Sequence, residues 1–444
     1  MKLRLIKIRD SLAASFWFLP TIMALLSAAG ALGSIAVDRS LGDAWVHDIG
    51  WFWSSGAEGA RGVLSVVAGS VMTVVSIVFS LTITTLSQTS SHFGPRVLRN
   101  FTSDRGVQFT LGTFIATFIY CLLVLRTVRS VEESAFVPHL SVNIGVALAL
   151  ISLAVLIFFI HKVSQSIQAE NIIAEIGLDF QDTLSVLFPE RIGESGDIEH
   201  DATAEPDWEE ARAVDADKNG YLQRMDDKQL MHLATRHDLQ LKLEARPGDF
   251  IRSHSPLLRV NPPASITGEI EQALRECFSL GIQRTPHQDL LYSLQQLVEI
   301  GAHALSPGIN EPFTALACID WLGASLRSVV CRTLPDPARH DESGTLRVVA
   351  RILDFDEIAR AAFDQIRIYG ASNPDILVKL LETIAGLGHH LRREDDREVL
   401  MHHIRLIGAD VMQIVNEADR ERVLEQKQKA MRVLATGFII RSNS

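Results

Sequence analysis

The sequence predicts a mainly α-helical integral membrane protein: a four-span transmembrane helical bundle, a long helical stalk, a small α+β module and a C-terminal helical cytoplasmic domain. Two observations support this fold class. The long apolar runs lie almost entirely within the first 165 residues, and most of the charged residues follow them. From residue 264 to residue 444, apolar residues recur mainly at helical spacing.

The overall composition excludes one class of partner and indicates a compartment. The formal net charge is −11. A nucleic-acid-binding protein needs a basic face, so we expect no nucleic-acid partner. The four cysteines (Cys121, Cys277, Cys318 and Cys331) show no paired spacing, and they suit core positions in a reducing cytoplasm.

Four segments meet the length requirement for a spanning helix, which is about 20 apolar residues for about 30 Å of hydrocarbon. They lie at about 12–35, 63–86, 108–125 and 140–161, within a predicted transmembrane domain of residues 1–165. The first segment is longer than the apolar core of a signal peptide, so we expect a retained helix. The four segments contain no Asp, Glu, Lys or Arg, which disfavours proton-coupled transport.

The flanking Lys and Arg residues favour a cytoplasmic N-terminus in a bacterial inner (plasma) membrane. On that orientation the inner side carries Lys2, Arg4, Lys7, Arg9, Arg96, Arg99, Arg105 and Lys162, and the outer side carries Arg39, Arg61, Arg126 and Arg129. An even number of spans then places both termini in the cytoplasm. Asp48 would lie outside and Asp249 inside.

The second span carries small and hydroxyl residues at steps of three and four, which place them on one helical face. This hydroxyl stripe consists of Gly69, Thr73, Ser76, Ser80, Thr84, Ser87 and Ser91. Small residues allow close helix packing. Hydroxyls lining a pore would instead replace part of an ion's hydration shell. Both interpretations stay open, and they are compatible if helices of several subunits surround one axis.

After the fourth span, apolar residues continue at helical spacing to Pro189, which predicts a helical stalk over residues 166–189. Such a stalk must bury its apolar face against its own domain or a neighbouring subunit. Residues 190–218 are acidic with few apolar positions, and we interpret them as a linker.

A weak match to the calcium-loop pattern follows the linker. Asp215, Asp217, Asn219 and Asp226 fall at ligand positions, with Gly220 at the turn. The last ligand is Asp instead of the bidentate Glu, and no clear helix pair flanks the loop. We therefore expect no metal, and an acidic turn leading into a strand explains the pattern equally well.

Residues 219–263 read as the small α+β module, with short strands, one helix at about Asp227–Arg236 and the turn Arg246-Pro247-Gly248-Asp249. Helices are expected at Ser265–Gly281, Asp289–Leu305, Phe313–Val330, Asp356–Tyr369, Pro374–His390 and Asp395–Phe438, with a short strand at Leu346–Leu353. Between the second and third of these helices, two prolines and a glycine predict a defined turn.

That turn carries a resemblance to a known family. The motifs that carry it are Arg284-Thr285, Gln288-Asp289, Gln296–Ile300, the run Ala304-Leu305-Ser306-Pro307-Gly308-Ile309-Asn310-Glu311-Pro312, and Thr314-Ala315. Gln88–Ser91, Pro95-Arg96, Leu98, Arg105 and Gly220–Gln223 agree with them. The chain resembles the bacterial membrane proteins called domain of unknown function 2254, with Glu311 where Asp is more frequent. The resemblance implies a four-span membrane region with a cytoplasmic domain, and it does not indicate a biochemical function.

Three classes of function fit these features. The preferred one is an oligomeric ion channel gated through its cytoplasmic domain, and the alternative is a membrane-anchored sensor or scaffold without a pore. An enzyme is disfavoured, because its candidate set lacks a nucleophile elbow or a phosphate loop. That set is Arg284, His287, Gln288, Asp289, His303, Ser306, Asn310 and Glu311. The expected partners are membrane lipid, further copies of the chain and an unidentified small cytoplasmic ligand, with no cofactor.

Overall fold

A computed structural model describes residues 15–41, 56–96, 104–129, 136–166, 168–187, 208–286, 288–332 and 335–442. The chain divides into two compact units, an N-terminal unit of Met1–Gln168 and a C-terminal unit of Ala169–Ser444. This boundary lies close to the end of the predicted transmembrane domain at residue 165.

The described part of the N-terminal unit contains four long apolar helices: α1 (Phe18–Leu41), α2 (Ala57–Phe93), α3 (Arg105–Leu125) and α4 (His139–Ser166). Each overlaps one predicted span. In α2 the helix extends beyond the apolar run at both ends. Five described helices of the chain are long and apolar enough to cross a membrane, these four and one in the C-terminal unit.

Helix α3 lies at the centre of the N-terminal unit and packs against the other three helices. Small residues permit the close approach: a β-carbon at Gly112 would lie 2.5 Å from the Met23 sulfur. Thr117 and Ser152 share a hydrogen bond of 2.9 Å between α3 and α4. The outward faces of α1, α2 and α4 expose leucine and isoleucine side chains, as a lipid-facing surface requires.

A buried carboxylate ties the start of α4 to α1. Asp38 accepts hydrogen bonds from the amides of Leu140 and Ser141, each at 2.9 Å, and from the Ser141 hydroxyl at 2.6 Å. These amides are unpaired donors in the first turn of the helix, and a carboxylate stabilises them. Asp38 lies beyond the end of the predicted first span. Because α1 continues to Leu41, Asp38 belongs to this helix.

The C-terminal unit begins with α5 (Ala169–Leu187), the segment predicted as a stalk. It is an element distinct from α4, and its apolar face packs on two later helices of its own unit, α8 (Leu290–Ala304) and α9 (Pro312–Val330). Ile173, Ile176 and Phe180 are fully buried there. Of the two destinations expected for this face, the structure shows the protein's own domain.

Two sheets follow. The larger has the strand order β1-β5-β3-β8-β7, and the smaller has the order β4-β2-β6. The pairs are antiparallel except β3 with β8, which run parallel. The strands are β1 (Arg212–Asp215), β2 (Gly220–Met225), β3 (Gln240–Leu243), β4 (Phe250–Ile251), β5 (Pro256–Asn261), β6 (Phe278–Gly281), β7 (Ala338–His340) and β8 (Leu346–Val349).

The helices of this unit fall into two groups. Those packed with the sheets are α6 (Asp227–Arg236) and α7 (Gly268–Glu276). The helical layer adds α10 (Phe355–Tyr369), α11 (Pro374–Gly388), α12 (Glu394–Asp410) and α13 (Glu417–Ser442) to α5, α8 and α9. Helix α9, the fifth helix apolar enough to cross a membrane, packs here against α5, α8 and α11.

The sheets differ from the module predicted at residues 219–263. Strand β1 lies inside the segment interpreted as a linker, and β6, β7 and β8 come from residues far beyond Pro263. The helix predicted at Ser265–Gly281 ends at Glu276, because the apolar residues after it pair as β6 with β2. The long C-terminal helix predicted from Asp395 is interrupted by a short 3-10 turn at Val411–Gln413.

Candidate functional site

Arg284, Thr285, Gln288 and Asp289 lie between the end of β6 and the start of α8, and two of them hydrogen-bond to β2. Thr285 donates a hydrogen bond from its hydroxyl to the Gln223 carbonyl at 3.2 Å. Gln288 accepts from the Met225 amide at 2.8 Å and donates to the Met225 carbonyl at 3.2 Å, so its side chain continues the backbone pairing of the strand. Two separate sequence motifs, at Gly220–Gln223 and Arg284–Asp289, therefore meet in space.

Asp289 is the most buried charge in this junction, with 4% of its surface exposed. Arg284 holds it with an Nη2–Oδ2 distance of 2.6 Å and also donates to the Gln295 side chain. Burial raises the pKa of Asp289, and the ion pair with Arg284 opposes that rise. A buried carboxylate needs such a partner, because loss of one member leaves an uncompensated charge.

The turn after β3 closes over this carboxylate. Gly248 has a φ of 97°, and a β-carbon there would lie 2.5 Å from an Asp289 carboxylate oxygen. Beside it, Arg246 makes a bidentate pair with Glu357 of α10, with N–O distances of 2.7 and 2.9 Å. The hydrogen bonds from Arg246 lower the pKa of Glu357.

A cavity of about 560 Å³ lies next to these residues, within the C-terminal unit. Its walls come from the end of β2, the first turns of α6 and α8, the turn after β3, and the strands β7 and β8. The side chains that surround it are mainly apolar. The charged ones are Asp227, Lys228, Arg246, Asp289, Arg339 and Arg351.

The turn Ser306–Pro312 lies at the opposite end of α8. The helix has 15 residues, which corresponds to about 22 Å. The structure therefore brings Arg284, Gln288 and Asp289 together but holds Ser306, Asn310 and Glu311 away from them. Asp289 and Ser306 therefore do not belong to one compact site. His287 lies outside the described residues.

Within that turn the left-handed residue is Asn310, with a φ of 52°. Gly308 has no such conformation, and a β-carbon there would meet nothing within 4 Å. Asn310 and Glu311 donate their amides to the Ser306 and Ala304 carbonyls at 2.9 and 2.8 Å. Pro312 occupies the first turn of α9, as predicted, and Pro307 is exposed.

The residues of the calcium-loop match have structural roles. Asp226 accepts from the Gln229 amide at 3.0 Å and so caps α6. Asn219 accepts from the Ser253 amide at 2.8 Å. Asp215 belongs to β1, and the Asp217 carbonyl accepts from the Ser253 hydroxyl. Among the described residues, no group of three acidic, histidine or cysteine side chains could hold a metal ion.

The hydroxyl stripe of α2 points away from its own bundle. The buried face of α2 is Ala60, Leu64, Ala68, Val71, Val78, Thr82, Thr85, Thr89 and Phe93. Ser80 follows Val71 by nine residues, about 900° of rotation, which places it on the opposite side of the helix. All seven stripe residues are exposed in the single chain. The stripe is thus not used for packing between the described helices of the N-terminal unit.

Hydroxyls of the stripe donate to carbonyls one turn earlier. Thr73 donates to Gly69, Ser76 to Met72 and Thr84 to Ser80, at distances of 3.1, 3.2 and 3.0 Å. Each oxygen keeps lone pairs free to accept another hydrogen bond or to contact a cation. At the N-terminal end of α2, Arg61 donates to the Val128 carbonyl at 2.8 Å.

The sequence analysis missed most of the charged residues around the cavity. Arg246 was identified only as part of a turn, and Arg339, Arg351 and Glu357 were not singled out. Their separation along the chain carries no local signal, because β7, β8 and α10 meet the turn after β3 only in the folded unit. The adjacent motif at Gln288-Asp289 is the one sequence feature that pointed to this wall.

The apolar helices and the lipid-facing surface of the N-terminal unit define an integral membrane protein with a folded C-terminal unit. The chain belongs to the family called domain of unknown function 2254, described as a predicted membrane protein, whose model matches residues 13–386. This confirms the family resemblance.

The relatives carry no assigned function. Uncharacterized proteins of Mycobacterium bovis and Mycobacterium tuberculosis are each 31% identical to the chain over 434 residues, covering 96% of the chain and 82% of the relative. No solved structure matches the chain.

Proposed function

We propose that the protein is a homo-oligomeric ion channel of the bacterial inner membrane, with the hydroxyl stripes of several α2 helices surrounding a shared polar path. The observation that carries the proposal is the position of the stripe directly opposite the face that α2 buries in its own subunit. Apolar side chains such as Ile77 and Ile83 flank the stripe on opposite sides and suit contact with lipid or neighbouring helices.

The surroundings of the hydroxyl stripe in a membrane decide whether its hydroxyls stabilise the protein. Lipid offers no hydrogen-bond partner, so a row of hydroxyls facing hydrocarbon gains nothing over alanine. Copies of the same helix around an axis give each hydroxyl a polar neighbour or water. A pore of this kind is uncharged along its length, with ions contacting oxygen atoms of the wall.

The proposed topology has α1 to α4 as the four spans, with α9 as a core helix of a cytoplasmic domain. Its support is that α9 packs against three helices of the C-terminal unit, and that Asp320 on α9 pairs with Lys379 at 2.6 Å. The excess of basic residues at the proposed inner ends supports cytoplasmic termini. A cysteine at Asp249 should react with an impermeant maleimide only after spheroplasts are opened. Asp48 lies outside the described residues.

Ion flux from liposomes containing the purified full chain tests the channel. We expect flux above that of protein-free liposomes, and Ser80→Leu should reduce it by about tenfold or more because an apolar ring dewets the path. The matched control is Ser70→Leu, the same substitution at an exposed serine of α2 that lies off the stripe. It should leave the flux within about twofold of the parent value.

Wild-type protein that assembles but gives no flux above background would contradict the channel. Equal loss of flux in both leucine variants would contradict the assignment of the stripe to the pore. The remaining candidate would then be a membrane-anchored cytoplasmic sensor, which the cavity in the C-terminal unit favours.

A further inference from the structure

We propose that the cavity between β2, α6, α8 and β8 binds an amphipathic organic anion, with an apolar body inside and one anionic group at Arg339. The inference does not depend on ion conduction. It rests on the size of the cavity, its apolar walls and the balance of charge around it.

The walls fit an apolar body. Leu230, Leu243, Leu290 and Val348 contribute side chains that are buried in the fold and border the cavity. Met225 and Met231 add flexible thioethers that adapt to the shape of a bound molecule. The volume of about 560 Å³ is that of a small-molecule site.

Three of the six charged side chains around the cavity are already neutralised. Asp289 is paired with Arg284, Arg246 is held by both oxygens of Glu357, and Arg351 lies 3.3 Å from Asp249. These ion pairs fix the positions of the wall side chains. Each pair presents little net charge to a bound ligand.

Arg339 differs from them. Its guanidinium donates to the main-chain carbonyls of Asp336 and Ala338. Among the residues that the structure describes, it has no carboxylate partner. Lys228 likewise forms no ion pair with any described residue and is exposed at the edge of the cavity, next to Asp227. Arg339 and Lys228 therefore carry the unpaired positive charge of the site, and Arg339 is the less exposed of the two. A guanidinium binds carboxylate, phosphate and sulfonate groups with directed hydrogen bonds.

An anion of this kind could be a water-soluble metabolite or a membrane-derived fatty acid, and both share the same chemistry. Octanoate is a suitable probe because it combines an eight-carbon chain with one carboxylate. Octylammonium carries the same chain with the opposite charge, and acetate carries the same charge without the chain.

Calorimetric titration of the full chain in a nonionic detergent tests the proposal. We expect saturable binding of octanoate and none of octylammonium or acetate. Arg339→Gln should weaken octanoate binding by about tenfold or more, because a hydrogen bond to a charged group is lost. Arg360→Gln is the matched control, since Arg360 is exposed on α10 outside the cavity, and it should bind as the parent does.

A second variant tests the apolar part of the cavity without changing its charge. Ala350 borders the cavity, and Ala350→Phe should fill the cavity and abolish binding of octanoate. Melting curves of all variants must match the parent, so that loss of binding reports the site. Tighter binding of octanoate than of palmitate supports a soluble ligand, and the reverse order supports a membrane-derived one. Octanoate binding that is equal in the parent, Arg339→Gln and folded Ala350→Phe, or equal binding of octylammonium, would overturn the proposal.

Discussion

At the scale of single residues, Asn310 controls the path of the chain between α8 and α9. Its φ of 52° is one that asparagine tolerates and a β-branched residue does not. Its amide bond to the Ser306 carbonyl fixes the same turn. The local conformation, and not a ligand contact, therefore explains why this residue type stands here.

Substitutions at Asn310 and Gly308 test which of these residues fixes the turn between α8 and α9. Asn310→Val should destabilise the protein by about 1–2 kcal/mol, and Asn310→Gly should be tolerated within about 0.5 kcal/mol. Gly308→Val is the matched control and should also be tolerated, because Gly308 lies in open space without a positive φ. Thermal melting in detergent measures all three. A large loss at position 308 with none at position 310 would contradict this account of the turn.

His403 gives the C-terminal unit a pH dependence. Its ring is fully buried beside Phe363, and neither ring nitrogen has a hydrogen-bond partner among the described residues. Burial lowers its pKa from 6.5 to about 4, with Asp364 at 3.7 Å opposing the shift and His402 and Arg367 adding to it. Asp356 also opposes it.

The direction of this pH dependence follows from the linkage between proton binding and folding. A depressed histidine pKa means that the unfolded chain binds the proton more tightly, so stability falls as pH drops from 6.5 towards 4. The loss amounts to about 3 kcal/mol at full protonation. In His403→Leu, the difference in melting temperature between pH 7 and pH 5 should shrink. His232→Leu, at an exposed position of α6, should keep the parent's difference. An unchanged pH dependence in His403→Leu would show that another group is responsible.

At the scale of elements, the sequence predicts what local pattern controls. The helix at Asp227–Arg236 and the start of α9 at Pro312 follow from a capping residue and a proline, and both lie where expected. Strand β1 could not be predicted, because its four residues contain one buried position, Val214, and pair with β5 far along the chain. The apolar run of β6 fits a helix equally well until β2 supplies its partner.

The break before α13 shows a signal that the sequence did carry. Asn416 accepts from the amides of Ala418 and Asp419 and so caps the last helix. Asparagine directly before a helical run is a start signal. Hydrophobic periodicity across residues 395–438 outweighed it in the sequence analysis. Tertiary packing of Val411 and Ile414, both buried, fixes the turn in the structure.

The candidate site divides in the same way. The sequence identified Gln288 and Asp289 as one wall, since they belong to a local motif. It could not place Arg246 against Glu357, because residues 111 positions apart meet only through tertiary packing. The stripe of α2 was predictable in full from its spacing, whereas its direction depended on which face α3 and α4 cover.

At the scale of the whole molecule, the two units divide the chemistry of the chain. The N-terminal unit exposes apolar side chains and a row of hydroxyls, and the C-terminal unit holds the buried ion pairs and the cavity. Our account assigns assembly and conduction to the first unit and ligand binding to the second. The two assignments are separable, because octanoate binding requires no membrane and liposome flux requires no ligand.

We propose that the α2 stripes of different subunits face one another. A cysteine scan along α2 in native membranes tests this arrangement. Cys331→Ser provides the background, because Cys331 is partly exposed whereas Cys121, Cys277 and Cys318 are buried. Single cysteines from position 69 to position 91 are oxidised, and disulfide-linked dimers are counted. Cross-linking should be strongest at Thr73, Ser76, Ser80, Thr84 and Ser87 and weakest at the buried positions Val78 and Thr82. A folded protein with no dimers at the stripe, or with its strongest cross-links on another face, would contradict the claim.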